Sequence, residues 1–170
     1  MTITRQGSNA GVWFQADEWE QLTGGLPIYR GFTRPLESET VHLKAPSNRP
    51  PKNIPEHDHH AIDAWFLEHF GAPFRSGALY GTGNFEKAVA HAGPDGEVAL
   101  IRPNAEFTFC WSPLSYDLMG EYAQREASSD LIAFLEGLQF QQHDLEQAAL
   151  SGHEIMLVSP SFTIERVLTI

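Results

Sequence analysis

Two strand-like runs near the end of the chain, residues 154–158 and 161–168, are separated only by Ser159-Pro160. Neighbouring parallel strands need a crossover of a dozen residues or more, so these two cannot be such a pair. Upstream, strands and helices alternate irregularly, with about six short strands and four helices readable from periodicity and breakers. That combination favours an α+β architecture over a doubly wound parallel sheet. The 170 residues fit a single domain spanning 1–170, and a domain of that size can bury about 70% of its unfolded surface.

The breakers locate the elements. Residues 1–26 read as a loose start followed by a short amphipathic turn over 13–22, and Pro27 opens a short strand to Phe32. Five prolines (Pro35, Pro46, Pro50, Pro51 and Pro55) make residues 33–55 a long loop or an edge segment. A helix is expected over 57–70, with Ile62, Trp65, Phe66 and His69 on one face and Gly71 as its stop. Residues 77–80 form a strand that breaks at Gly81-Thr-Gly83, and Asn84 caps a helix over 85–91. Residues 97–102 and 106–111 read as a hairpin around Pro103-Asn104. Ser128 or Ser129 would cap a helix to Leu138, and Gly152 would close a second helix over 141–150.

Charge excludes some functions. Eleven Lys and Arg stand against 22 Asp and Glu, a formal net charge of −11. Broad nucleic-acid surfaces run on clustered cations that displace counterions, so this balance argues against one. No apolar run is long enough to span a bilayer, and Met1-Thr-Ile-Thr-Arg-Gln-Gly7 has no apolar signal core. The lone cysteine, Cys110, cannot form an internal disulfide. A cytoplasmic protein is expected, or one delivered into a target cytoplasm.

Two clusters invite a functional reading and have plainer ones. Glu56-His-Asp-His-His60 continues to Asp63 and His69, and His59 and Asp63 share a helix face at i, i+4. The His-Glu-x-x-His pattern of a metal helix is missing, so a solvated first turn at His57, His59 and His60 is favoured and no metal is assigned. In Phe107-Thr-Phe-Cys-Trp111 the aromatic residues fall on one face, with Thr108 and Cys110 on the other. Cys110 reads as a small buried thiol. With Trp65, those aromatic residues could instead be the docking face of an interaction domain without chemistry.

Three further segments converge on one idea. Ile28-Tyr-Arg-Gly31 places an arginine on a short strand, where it can hold a phosphate bidentately. Ser76-Gly-Ala-Leu-Tyr-Gly-Thr-Gly-Asn84 carries hydroxyls from a strand into a helix. Gly152-His-Glu-Ile-Met-Leu-Val-Ser-Pro-Ser-Phe-Thr-Ile164 sets one carboxylate, Glu154, at the mouth of an apolar strand. A lone glutamate can stabilise a developing positive sugar centre. Each residue also has a structural role open to it. Arg30 could form a surface ion pair, Tyr80 could be a core aromatic, Thr82 a turn residue and Glu154 an edge charge.

In order and content the three segments resemble the motifs of the ADP-ribosyltransferase superfamily, the NAD-dependent toxins and poly-ADP-ribose polymerase relatives. Tyr29-Arg-Gly31 is similar to the first motif. In the second, Thr82 takes the place of the last serine of Ser-Thr-Ser, Tyr80 of the first, Ala88 of the following alanine and His91 of an aromatic. Gly77-Ala-Leu-Tyr80 is also similar to the polymerase branch's Gly-Ile-Tyr. In the third, Glu154 takes the place of the catalytic glutamate, and Gly152 stands where arginine-directed members carry an acid. The resemblance implies split, mostly antiparallel sheets with flanking helices and an NAD cleft. It implies a mono-ADP-ribosyltransferase, a toxin or effector, that uses NAD as substrate and modifies a macromolecular acceptor, expected to be a protein. It assigns catalysis to Glu154 and NAD binding to Arg30, Gly31, Tyr80 and Thr82. A RES-type NAD-degrading toxin is a close variant, though such proteins place a glutamate in the helix where this chain has Ala90-His91.

Overall fold

The computed structural model describes residues 3–6, 10–44, 54–126 and 129–169. In chain order it has β1 (Ile3–Gln6), β2 (Ala10–Trp13), a 3-10 turn (Ala16–Glu18) running into α1 (Trp19–Thr23), β3 (Tyr29–Phe32) and β4 (Thr40–Lys44). Then come α2 (Glu56–Phe70), β5 (Leu79–Gly81), α3 (Phe85–Ala92), β6 (Glu97–Pro103) and β7 (Thr108–Trp111). The chain ends with α4 (Leu118–Gln124), α5 (Leu131–Gly137), α6 (Leu145–Ser151), β8 (Ile155–Val158) and β9 (Ser161–Thr169).

The fold is mixed α+β. Strands β3-β6-β9-β4 form a four-stranded sheet and β5-β8-β7 a three-stranded one, while β1 and β2 pair separately. All of these pairings are antiparallel. The two larger sheets share one core. Phe109 and Trp111 of β7 and Ile155 and Leu157 of β8 meet Ala99 and Ile101 of β6 and Phe162 and Ile164 of β9. The alternate residues Cys110 and Met156 face a second core with Ile62, Trp65 and Phe66 of α2 and Leu135 of α5. Helix α3 covers the other face of the four-stranded sheet, packing Ala88 and Ala92 on Val98.

This packing corrects the expected hairpin. β6 pairs with β3 and β9, whereas β7 pairs with β8. Both strands are almost wholly buried, so the turn at Pro103-Asn104 carries the chain between facing sheets rather than back along one. Ser159-Pro160 makes the same switch between β8 and β9. The expected edge segment contains β4, which borders the four-stranded sheet. Pro46, Pro50 and Pro51 lie outside the described residues.

Some helix boundaries also move. Asp130, not Ser129, caps α5, its carboxylate accepting from Ile132 N at 2.9 Å. A carboxylate is the stronger acceptor for the helix's orphan N–H groups. Ser128 lies outside the described residues. Helix α6 starts at Leu145 because Asp144 takes a left-handed φ of 61° and Gln141 is bridged to Trp111. Asn84 caps α3 and Gly152 ends α6 with φ 73°, both as the sequence predicts. Periodicity missed α4, whose Asp117 cap accepts from Gly120 N. No helix among the described residues is long and apolar enough to cross a membrane.

Candidate functional site

The two larger sheets meet at one point. Tyr29 N donates to Thr82 O at 2.7 Å, and Thr82 N returns a bond to Tyr29 O at 2.9 Å. From there β3 continues in one sheet while β5 belongs to the other. Arg30 reaches across, its Nη1 donating to Tyr80 O at 2.9 Å. Its guanidinium also lies 5.3 Å from the Phe32 ring, two residues along the same strand face.

Gly31 points the other way, a consequence of strand alternation. A Cβ there would stand 2.1 Å from the carbonyl oxygen of Ala88 and 2.5 Å from Ala92 N. Glycine at 31 therefore lets α3 lie directly on β3. The position is a packing contact, opposite the face that carries Arg30. The same contact accounts for the small, fully buried Ala88.

Glu154 sits one residue before β8, whose strand pairs with β5 through Tyr80↔Met156 and Gly81↔Ile155. Its backbone N donates to Tyr116 O at 2.7 Å, and its Oε1 accepts from Leu118 N, the first residue of α4, at 3.3 Å. Burial pushes the carboxyl up to about 7. The Leu118 N–H works against that shift, Asp117 adds to it, and the charges of Arg75 and Arg30 oppose it. Arg30 thus contacts the Tyr80 backbone, and its charge, with that of Arg75, reaches the Glu154 carboxyl.

Thr82 ties the site's two halves. Its buried hydroxyl donates to Gly152 O at 3.0 Å and accepts from Asn84 N at 3.0 Å. Lys87 Nζ donates to the same Gly152 carbonyl at 2.9 Å and lies 3.9 Å from the centre of the Tyr116 ring. Tyr116, largely exposed, packs edge-on against His153 with centroids 4.8 Å apart.

Sequence reasoning passed over Arg75, Lys87, Tyr116 and Asp117. Arg75 is buried, and its Nη1 donates to Tyr80 Oη at 3.0 Å. The available signal was an arginine wedged between Phe74 and the second motif, a position that periodicity does not flag.

The other candidates resolve into structure. Asp63 accepts from the backbone N of Arg75 and of Ser76, each at 2.9 Å. Asp58 receives the Tyr122 hydroxyl and pairs with Arg125 at 3.4 Å, while His60 meets Glu56 at 3.3 Å. His59 is buried and His57 exposed. Among the described residues no group of three or more His, Cys, Asp or Glu could hold a metal ion. Burial drives the Cys110 thiol well above its ordinary value, which removes it as a nucleophile. Trp65, Phe107, Phe109 and Trp111 are at most 6% exposed and divide between two cores. They therefore form no docking face, which corrects that expectation. In α3, Ala90 and His91 are exposed, and neither supplies a carboxylate.

Two pockets lie elsewhere. One of about 730 Å³ opens between α1 and α6, and one of about 320 Å³ lies against β6 and β9; neither is lined by Arg30, Tyr80 or Glu154. The larger presents Glu18, Asp144 and Glu146 with no cation among its lining residues. Such a lining repels anions, whereas the junction of the two larger sheets carries Arg30 and Arg75. No family model, curated protein or solved structure matches the chain.

Proposed function

We propose that this chain is a mono-ADP-ribosyltransferase of the ADP-ribosyltransferase superfamily, binding NAD where its two larger sheets part. One observation carries the reading. Three separate segments contribute at that junction: Arg30 bonds the backbone carbonyl of Tyr80, and Glu154, just before the strand paired with Tyr80, feels the Arg30 charge. The motif order in the sequence supports it independently.

Arg30 would contact phosphate or ribose, since a guanidinium matches both. Tyr80 would stack on nicotinamide, and Thr82 would hold Gly152 and with it the start of β8. The ionised Glu154 would hydrogen-bond the nicotinamide ribose and stabilise an oxocarbenium-like transition state. The glycosidic C–N bond breaks with its electron pair leaving on nicotinamide. A nucleophile of the acceptor forms the new bond at the same carbon and loses its proton. Gly152 offers no carboxylate, and its carbonyl is occupied by Thr82 and Lys87. The acceptor atom is therefore not an arginine guided by an acid at that position.

The test is nicotinamide release from NAD by the purified protein, beside Glu154→Gln. Stabilisation of developing charge by one preorganised group is worth roughly a hundredfold to a thousandfold in turnover. Release that falls at least that far in the variant supports the reading, with wild-type activity rising through neutral pH as Glu154 ionises. No release at any pH with a panel of protein acceptors, and no NAD-dependent rise in Tm, overturns it.

A further inference from the structure

Arg75 lies in the turn between α2 and β5, and α2 fixes it there: the Asp63 carboxylate accepts from Arg75 N and Ser76 N at 2.9 Å each. The residue is 8% exposed. Its Nη1 donates to Tyr80 Oη at 3.0 Å, and that hydroxyl donates back to Arg75 O at 2.6 Å. The phenol is therefore engaged as both donor and acceptor by one residue, so the Tyr80 ring cannot swing. The Arg75 Nε is also buried and has no hydrogen-bond partner among the described residues.

A buried guanidinium with one donor unanswered is a poor choice for stability, since a neutral side chain avoids the desolvation of the charge. Breaches of local satisfaction concentrate where function needs the offending group. Two needs meet at Arg75: the Tyr80 hydroxyl on one side and the Glu154 carboxylate, which responds to its charge, on the other. We propose that Arg75 is a positioning residue of this site, locking the Tyr80 ring and adding its positive charge to that of Arg30 on the side of Glu154. This rests on the reading of Glu154 and Tyr80 given under Proposed function. It adds a residue that lies outside all three motifs and reaches the site through the Tyr80 hydroxyl. Around Glu154 the charged groups are Arg30 from β3, Arg75 from the turn before β5 and Asp117 from the cap of α4. Arg75 and Arg30 favour the ionised form, and Asp117 opposes it.

The experiment is a carboxyl carbon-13 NMR titration of the full chain, with Glu154→Gln used to identify the Glu154 signal. It is repeated in Arg75→Gln, Arg75→Lys and Tyr80→Phe, alongside nicotinamide release. In wild type the signal should titrate near pH 7. In Arg75→Gln Glu154 should become about a tenfold weaker acid, the effect of losing one nearby opposite charge. The pH profile of release should move with it. Arg75→Lys keeps the charge without the planar fork, so it should hold the titration closer to wild type while kcat falls tenfold or more. Tyr80→Phe removes the hydroxyl that anchors the guanidinium and should move the titration upward if Arg75→Gln does not fold. An unmoved Glu154 titration in folded Arg75→Gln, or in Tyr80→Phe where that variant does not fold, overturns the proposal. So does unchanged kcat in Arg75→Lys. If no variant or wild type releases nicotinamide, the functional reading fails while the titration still decides whether Arg75 governs Glu154.

Discussion

Two glutamates stand at the starts of strands in the two larger sheets, and the molecule treats them oppositely. Glu97, opening β6, is 1% exposed and accepts from Leu36 N, from Thr169 Oγ1 at 2.9 Å and from Arg166 Nη1 at 3.0 Å. Burial pushes its carboxyl up, but those bonds and the Arg166 charge outweigh burial and leave it below the ordinary 4.5. Glu154, before β8, accepts one backbone bond at 3.3 Å, with Asp117 nearby, and burial leaves it near 7. One acid is satisfied and binds the loop after β3 to the sheet. The other is undersupplied beside two guanidinium groups. Three donors clamp the carboxylate at one strand, while a single backbone N–H meets the carboxylate at the other.

The comparison breaks most visibly at Glu97. Glu97→Gln removes the charge that Arg166 faces and weakens the anchor of Leu36. A drop in Tm of roughly 10 °C at neutral pH is expected, the scale for disrupting a buried hydrogen-bonded pair in a domain of this size. The sign with pH follows from the depressed carboxyl. Its stabilisation is complete above the unfolded-state value near 4.5 and is lost as pH falls through the lower folded-state value. Thermal melts of wild type and variant should therefore converge in acid. Equal differences at pH 7 and pH 3 would mean that Glu97 acts through packing alone.

Glu154→Gln should show the reverse. The folded chain holds the Glu154 proton up to about pH 7, while the unfolded chain releases it near 4.5. Rising pH therefore favours unfolding across that interval. Wild type should lose about 3 kcal/mol between pH 4.5 and pH 8 from this group, since each tenfold difference in proton affinity is worth 1.36 kcal/mol. The variant carries no such loss, so denaturant melts should find it more stable than wild type at pH 8 and no more stable at pH 4.5. A substitution that removes turnover yet stabilises the fold would mark Glu154 as functional rather than structural. A variant less stable than wild type at pH 8 would reverse that assignment.

How much of this was legible depends on where the determining contacts lie. The strands β8 and β9, helix α2, the Asn84 cap and the Gly152 stop are written in local alternation and in residues with one dominant backbone role. Arg30, Tyr80 and Glu154 stand out as candidates in the sequence because each lies at or next to a strand beside a breaker. The separation of β6 from β7 was not legible, because Phe107, Phe109 and Trp111 fit a hairpin face and a sheet-to-sheet core equally well until their partners are known. The packing role of Gly31 was hidden for a similar reason, its constraint being the backbone of α3, more than fifty residues downstream in carbonyl and amide atoms that no side-chain pattern announces. Arg75 was invisible because Asp63 and Tyr80 define its role from opposite sides.

The smallest effect sharpens the link between the two halves of the site. Thr82→Val removes the hydroxyl that donates to Gly152 O and accepts from Asn84 N. The Gly152 carbonyl keeps Lys87 Nζ at 2.9 Å, so only the Asn84 N–H is stranded, and a loss of about 1 kcal/mol is expected. Lys87→Met leaves Thr82 in place on the same carbonyl, so it too should cost little by that route. Together the two changes strand Gly152 O and release the residue two before Glu154. Denaturant melts of the double variant should show a loss exceeding the sum of the single ones, the mark of groups that share a partner. Strict additivity would mean that Thr82 and Lys87 hold different things, and that the start of β8 is positioned by Tyr116 O and Glu154 N instead.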